Sequence, residues 1–183
     1  MKLKMRMDMR FVLVLSVLAL VVLGYLIYSF VLPKPILAVS VNGNTVIFRD
    51  DLREADKIPI YPDANSISKF FASSSVTNIT FAFKPMQGDN GLDLLEESEI
   101  IFKTTLLYSQ YGYQPTYKAV PVQDYSQVNS TSQAPTIVFV SPSFANETSV
   151  RLVNSTVYIS GKSAREFDLA TIKFMMTVLG IKL

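Results

Sequence analysis

Cysteine and histidine are both absent from the 183 residues. Without cysteine there is no disulfide to staple a fold and no thiolate nucleophile. Without histidine the commonest general base and the commonest zinc ligand are missing. Together these absences exclude Ser-His-Asp and Cys-His catalysis, haem ligation by histidine and ordinary zinc hydrolysis. Carboxylate, lysine, hydroxyl and tyrosine chemistry is what remains. No segment repeats at a fixed period.

Charge is missing from one long stretch. Residues 11–32 form 22 consecutive uncharged positions, nearly all Val, Leu, Ile, Phe or Ala. As a helix this run rises about 33 Å, the thickness of a bilayer's hydrocarbon core. The spacing predicts a transmembrane helix over 11–32, with a basic cytoplasmic tail over 1–10 and an extracytoplasmic domain over 33–183. Lys2, Lys4, Arg6 and Arg10 stand before the run against a lone Asp8, whereas only Lys34 follows it before Arg49. That asymmetry places the N-terminus inside and the domain outside the cell membrane. Tyr25 and Tyr28 sit where interfacial rings belong, and Pro33 and Pro35 end the helix. The alternative is a cleaved signal peptide. Its apolar core is usually shorter, and the one small-residue cleavage candidate, at 38–40, lies beyond two prolines. Nothing marks a lipid anchor: Gly does not follow Met1 and no cysteine is available to acylate.

The exterior segment holds 13 basic and 14 acidic residues, a net of −1. The basic excess of the chain belongs to the inner tail, where it meets anionic lipid. No basic face for nucleic acid is evident in the charge spacing, so the bilayer and a protein at the membrane are the expected partners. Four N-x-Thr acceptors, at Asn78, Asn129, Asn146 and Asn154, exceed the one or two that composition supplies (about 1.4) and predict a glycosylated surface. Their clustering in turn-forming sequence is the competing explanation.

Periodicity gives the elements. Strands over 36–41 and 45–48 flank Asn42-Gly43-Asn44, a β-hairpin signature. A helical turn is expected within 50–57, an irregular or edge segment over 58–63, and a short helix over 64–74 with Ile67, Phe70 and Phe71 inward. Residues 76–83 alternate as a strand. The helix over 89–112 has acidic residues at its start and Lys103 later, which suits its dipole. Its expected core face is Leu94, Leu95, Ile101, Phe102, Thr105, Leu106 and Tyr108. Strands are expected over 116–122, 136–140, 150–153 and 156–160, with a mobile Ser/Gln/Asn-rich insertion over 123–134. The last helix, 164–179, starts in a Ser163/Glu166 capping box and turns Phe167, Ala170, Phe174 and Val178 inward. This order predicts an α/β (α+β) two-layer sandwich: a mixed β-sheet with helices mainly on one face.

Four groupings have the residue types for chemistry. Ser66-Ile67-Ser68-Lys69 matches S-x-x-K but lacks the partner motifs of that family of hydrolases. Gly161-Lys162-Ser163 follows a strand and opens a helix, yet the first glycine of a phosphate loop is absent, so a turn and a cap explain it. Asp89, Asn90, Asp93, Glu96 and Glu97 gather oxygen ligands without the spacing of a calcium loop. Tyr108, Tyr111, Tyr113, Tyr117, Tyr125 and Phe144 are either core packing or a binding surface. No catalytic residue, metal site or cofactor is expected from these.

The segments 136–142 (Thr-Ile-Val-Phe-Val-Ser-Pro), 147–150 (Glu-Thr-Ser-Val), 158–161 (Tyr-Ile-Ser-Gly) and 179–181 (Leu-Gly-Ile) together resemble uncharacterised archaeal single-pass membrane proteins with an outward-facing α/β domain. The resemblance implies a location and carries no activity. An interaction or assembly module, rather than an enzyme, is the expected function. The alternatives are an exterior hydrolase using Ser/Lys or carboxylates, and a sugar-binding module.

Overall fold

A computed structural model describes residues 18, 20–22, 35–72, 75–85, 91–109 and 112–183. The chain divides into two units, Met1–Lys34 and Pro35–Leu183. In the first, Leu18, Leu20, Val21 and Val22 are helical; the rest of the anticipated span at 11–32 lies outside the described residues. Among the described residues no helix is long and apolar enough to cross a membrane.

The second unit is α/β. A hairpin of β1 (Ala38–Val41) and β2 (Asn44–Ile47) pairs antiparallel, turning through Asn42 and Gly43, both at positive φ. Then come α1 (Leu52–Asp56), β3 (Ile60–Tyr61), α2 (Ala64–Phe71), β4 (Asn78–Phe83) and α3 (Leu92–Ser109). The chain continues through β5 (Thr116–Pro121), a 3-10 turn (Tyr125–Gln127), β6 (Thr136–Val140), β7 (Ser149–Val153), β8 (Thr156–Ser160) and α4 (Ala164–Val178). Six strands form one mixed sheet in the order β3-β7-β8-β6-β4-β5. β5, β4, β6 and β8 run parallel, β7 returns antiparallel to β8, and β3 lies parallel to β7.

Helices cover one face of this sheet. Phe81 stacks on Phe139, and Phe139 meets Phe167 of α4 edge-on at 5.8 Å. Phe71 of α2 meets Phe174 of α4 at 5.2 Å. Helix α4 is buried almost all round, because α1, α2 and α3 pack against it as well as the sheet. This accounts for the breadth of its apolar surface: Phe167, Ala170, Phe174 and Val178 point inward as expected, and Ile172, Met175 and Met176 are buried too. The Ser163 hydroxyl caps the helix by accepting from Glu166 N at 3.2 Å. The Glu166 carboxylate accepts instead from the Thr148 hydroxyl, so the capping box is half made.

The 123–134 segment is not a free insertion. Asp124 caps the 3-10 turn, Tyr125 donates to Phe139 O at 2.9 Å, and Val122, Tyr125 and Val128 pack over Ala82 and Val138 on the second face of the sheet. Its apolar residues recur too sparsely to register as an element, yet two of them, Tyr125 and Val128, join Val122 in covering Ala82 and Val138.

Candidate functional site

Helix α3 departs most from expectation. Glu96, Ile100, Lys103, Thr104, Leu107 and Tyr108 are buried, whereas Leu94 is 68%, Leu95 47% and Phe102 70% exposed. Of the anticipated core face only Tyr108 is fully buried; it donates to Phe71 O at 3.1 Å and packs on Tyr113. The helix is turned through about half a revolution relative to that expectation. The reason lies in a residue far away in sequence. Arg49, just after β2, donates to Glu96 Oε1 at 2.7 Å and to Asp168 Oδ1 of α4 at 2.6 Å. A guanidinium with five donors can hold two carboxylates, so Glu96 is accommodated at 0% exposure.

Lys103 completes this ionic centre. It pairs with Glu99, and its ammonium lies 5.1 Å from the centre of the Phe48 ring. Burial, reinforced by the Arg49 charge, pulls its pKa down from 10.5 to about 8. Burial and the neighbouring Asp168 push the Glu96 carboxyl above its ordinary value, and burial does the same to Asp168. Glu96 Oε2 is buried without a hydrogen-bond partner, and the Thr171 hydroxyl donates to Phe167 O at 3.1 Å. At the rim, the Arg165 guanidinium holds Asp50 below the usual carboxylate range. The sequence motifs missed this centre, since its members come from three segments of the chain.

The lysine has a testable consequence. A folded-state pKa below the unfolded one means that the folded chain binds fewer protons between pH 8 and 10.5, so stability rises across that window. Lys103→Met removes a desolvated charge whose partner, Glu99, keeps contact with water. We expect the variant to be more stable at pH 7, on the order of 1–2 kcal/mol, and to lose the rise between pH 8 and 10.5. Urea unfolding at pH 7, 9 and 10 checks both; an unchanged rise would exclude Lys103 as its source.

Other anticipated groupings are dispersed. Glu96 turns inward, Asp93 and Glu97 line a concavity of about 260 Å³ with Phe83, Pro85, Gly91 and Leu94, and Asp89 and Asn90 lie outside the described residues. Burial raises the Glu97 carboxyl above its ordinary value. The concavity opens at the carboxyl end of β4, a usual place for ligands in parallel sheets. Ser66 Oγ donates to Asp63 Oδ2 at 2.7 Å, at the N-cap of α2, so Asp63 is its partner and Lys69 is exposed. Gly161 brings the start of α4 against the end of β8: a Cβ there would stand 2.6 Å from the Glu166 carbonyl carbon. Of the aromatic residues, Tyr108, Tyr113 and Tyr117 pack in the helix-side core. Tyr125 and Phe144 flank Lys84 on the other side of the sheet, and Tyr111 lies outside the described residues. The four sequon asparagines are all exposed.

The described residues contain no group of three or more Asp or Glu placed to hold a metal ion. Comparison of the chain with protein-family models, with curated proteins and with solved structures finds no match in any of the three.

Proposed function

We propose that the chain is a single-pass membrane protein, N-terminus inside, whose exterior α/β domain is an assembly module that docks through the outer face of α3. The uncharged run over 11–32 and the basic tail before it support the anchor. One observation carries the docking face: Leu94, Leu95 and Phe102 point to solvent on a helix that buries Glu96 and Lys103. Helix geometry sets the exposed Ser98 and Ser109 beside them, with Ile101, Thr105 and Leu106 half-buried at the margin, so the outer stripe has no charged member. Contiguous apolar surface of this kind marks an interaction site. Leu94 belongs both to the stripe and to the concavity beside it, which gives a partner's side chain a place to insert. The partner is therefore a largely apolar surface on another chain of the same membrane.

Sedimentation and native cross-linking of the full chain in detergent test this. The parent migrates with a partner, and Phe102→Glu or Leu95→Glu weakens that association by tenfold or more while the melting temperature stays within about 2 °C, as expected of an exposed substitution. A parent that is a solitary monomer, or a Phe102→Glu variant that unfolds, overturns the reading.

The second reading is an exterior hydrolase using Asp93 and Glu97, favoured by their place in a concavity. Among the described residues no Lys or Arg lines it to polarise a substrate. The sugar-binding reading loses support because three of its tyrosines are in the core.

A further inference from the structure

Three of the four sequons meet at one end of the sheet, although they lie far apart in sequence. Thr80, Thr136 and Thr156 are in register across the neighbouring parallel strands β4, β6 and β8. Asn78 precedes Thr80 by two residues and Asn154 precedes Thr156 by two, so both asparagines stand at the amino ends of their strands. With strands about 4.8 Å apart, they are separated by roughly 10 Å. Asn129 is drawn to the same place: the Thr136 hydroxyl donates to its carbonyl at 3.2 Å. Ser130, of the Asn129 sequon, donates its hydroxyl to Ser155 O, of the Asn154 sequon. Thr77, beside Asn78, donates its backbone N–H to Gln133 O at 2.8 Å. The fourth sequon, Asn146, follows the carboxyl end of β6 and stands apart.

A second property singles out this edge. Near this end the segments 75–83, 112–117, 128–136 and 152–157 contain no Asp, Glu, Lys or Arg, although Lys118 of β5, in register with Thr80, is exposed beside them. A protein surface is ordinarily kept soluble by interspersed charge; here charge is sparse, and Val153, beside Asn154, is 46% exposed. An attached oligosaccharide supplies the missing hydration. The geometry accepts one: the three asparagines are exposed. Asn154, at the β7–β8 turn, has φ of 55°. Asn78 Nδ2 uses a single N–H, donated to Thr77 Oγ1 at 3.1 Å, and a glycosylated amide keeps one N–H for that bond.

We propose that Asn78, Asn129 and Asn154 carry N-linked oligosaccharides and together make one glycan-covered edge at the amino ends of the parallel strands. The donor is an exterior oligosaccharide linked to a lipid phosphate. The bond between its anomeric carbon and the phosphate oxygen breaks, and a bond from that carbon to the asparagine Nδ2 forms. The displaced phosphate leaves with the electron pair, and one amide proton is lost. No oxidation or reduction occurs. The consequence for assembly follows from the path of α3. It leaves the carboxyl end of β4 and returns to the amino end of β5, so Leu94 and the concavity lie at the end of the sheet away from these sugars. The edge is shielded, while Leu94, Leu95 and the concavity at the start of α3 are left bare.

This inference rests on the exterior placement proposed above, and the test separates the two. The chain purified from its own cells is digested and its glycopeptides are read by mass spectrometry. In parallel, Gln123→Cys gives this cysteine-free chain one exposed thiol for an impermeant maleimide on intact cells. The expected result is labelling of intact cells, with sugar mass on at least two of Asn78, Asn129 and Asn154. That mass is lost when the same positions are changed to Gln. Labelling of intact cells with sugar on none or one of the three overturns the shielded edge and leaves the exterior placement standing. Labelling only after lysis overturns both.

Discussion

Replacing Arg49 by methionine destabilises the domain by about 3 kcal/mol at pH 7, and lowering the pH restores part of the loss. Arg49 is the donor that Glu96 and Asp168 share. Without it, a carboxylate at 0% exposure is left in the core with no compensating hydrogen bond. Breaking one side of a buried pair costs about 3–5 kcal/mol. A ceiling applies, because Glu96 has an escape: it takes up a proton. From an ordinary glutamate pKa, protonation at pH 7 costs roughly 3–4 kcal/mol. The penalty is therefore capped near that value and falls as the solution acidifies. The sign follows from linkage. The folded carboxyl, already raised by burial, is raised further in the variant, so the folded state binds more protons than the unfolded state above the unfolded pKa. Stability then drops as pH climbs through that window and recovers as pH falls. For a domain of this size the loss lowers the melting temperature by about 6–12 °C at pH 7, and by much less near pH 5. Adding Glu96→Gln removes the stranded charge and returns most of the lost stability. Thermal unfolding of the single and double variants at both pH values measures this. A single variant that melts with the parent would mean that Glu96 faces water and that α3 presents its other side to the core. The docking stripe would then be lost as well.

Gly161→Ala is the second large effect, with a loss of about 3 kcal/mol or more, at the upper end for overpacked cores. The added methyl would stand inside contact distance of the Phe167 backbone and 2.6 Å from the Glu166 carbonyl carbon. Main chain cannot yield as a flexible side-chain tip can, so α4 must lift from the end of β8. Helix α4 carries Phe167 and Phe174 into the core and Asp168 to Arg49, so the displacement reaches both the apolar and the ionic centre. Gly180→Ala separates space from backbone conformation. Gly180 has φ of 69° with nothing near its would-be Cβ, so its substitution costs only about 1 kcal/mol. Urea midpoints of the two variants give the comparison. Equal losses would mean that strand β8 and helix α4 do not approach as closely as described.

The same two residues divide what was legible in the chain from what was not. Gly161 with Ser163 reads as a turn and an N-cap, because caps and turns are local and use neighbours in sequence. The hairpin at Asn42-Gly43-Asn44, the alternation over 76–83 and the last helix were legible for that reason, and they were enough to give a mixed sheet with helices on one face. Arg49 carried no signal. Its partners are 47 and 119 residues away, and nothing in its own neighbourhood marks it. Helix α3 shows the limit most directly. Leu94, Leu95 and Phe102 lie on one side, and Ile100, Leu107 and Tyr108 on the other together with the charged Glu96 and Lys103. Periodicity therefore locates the helix but points to Leu94, Leu95 and Phe102 as its inward face, the side that the structure leaves exposed. The choice of face fell to the tertiary structure, which supplies Arg49 and makes burial of Glu96 the lower-energy arrangement. The sequons follow the same division: four acceptor sites are written in the chain, while the parallel register of β4, β6 and β8 decides that three of them share an edge. Local order came from the sequence alone, because caps, turns and periodicity act over a few residues. The facing of α3 and the gathering of the sequons came from contacts between segments that only folding brings together.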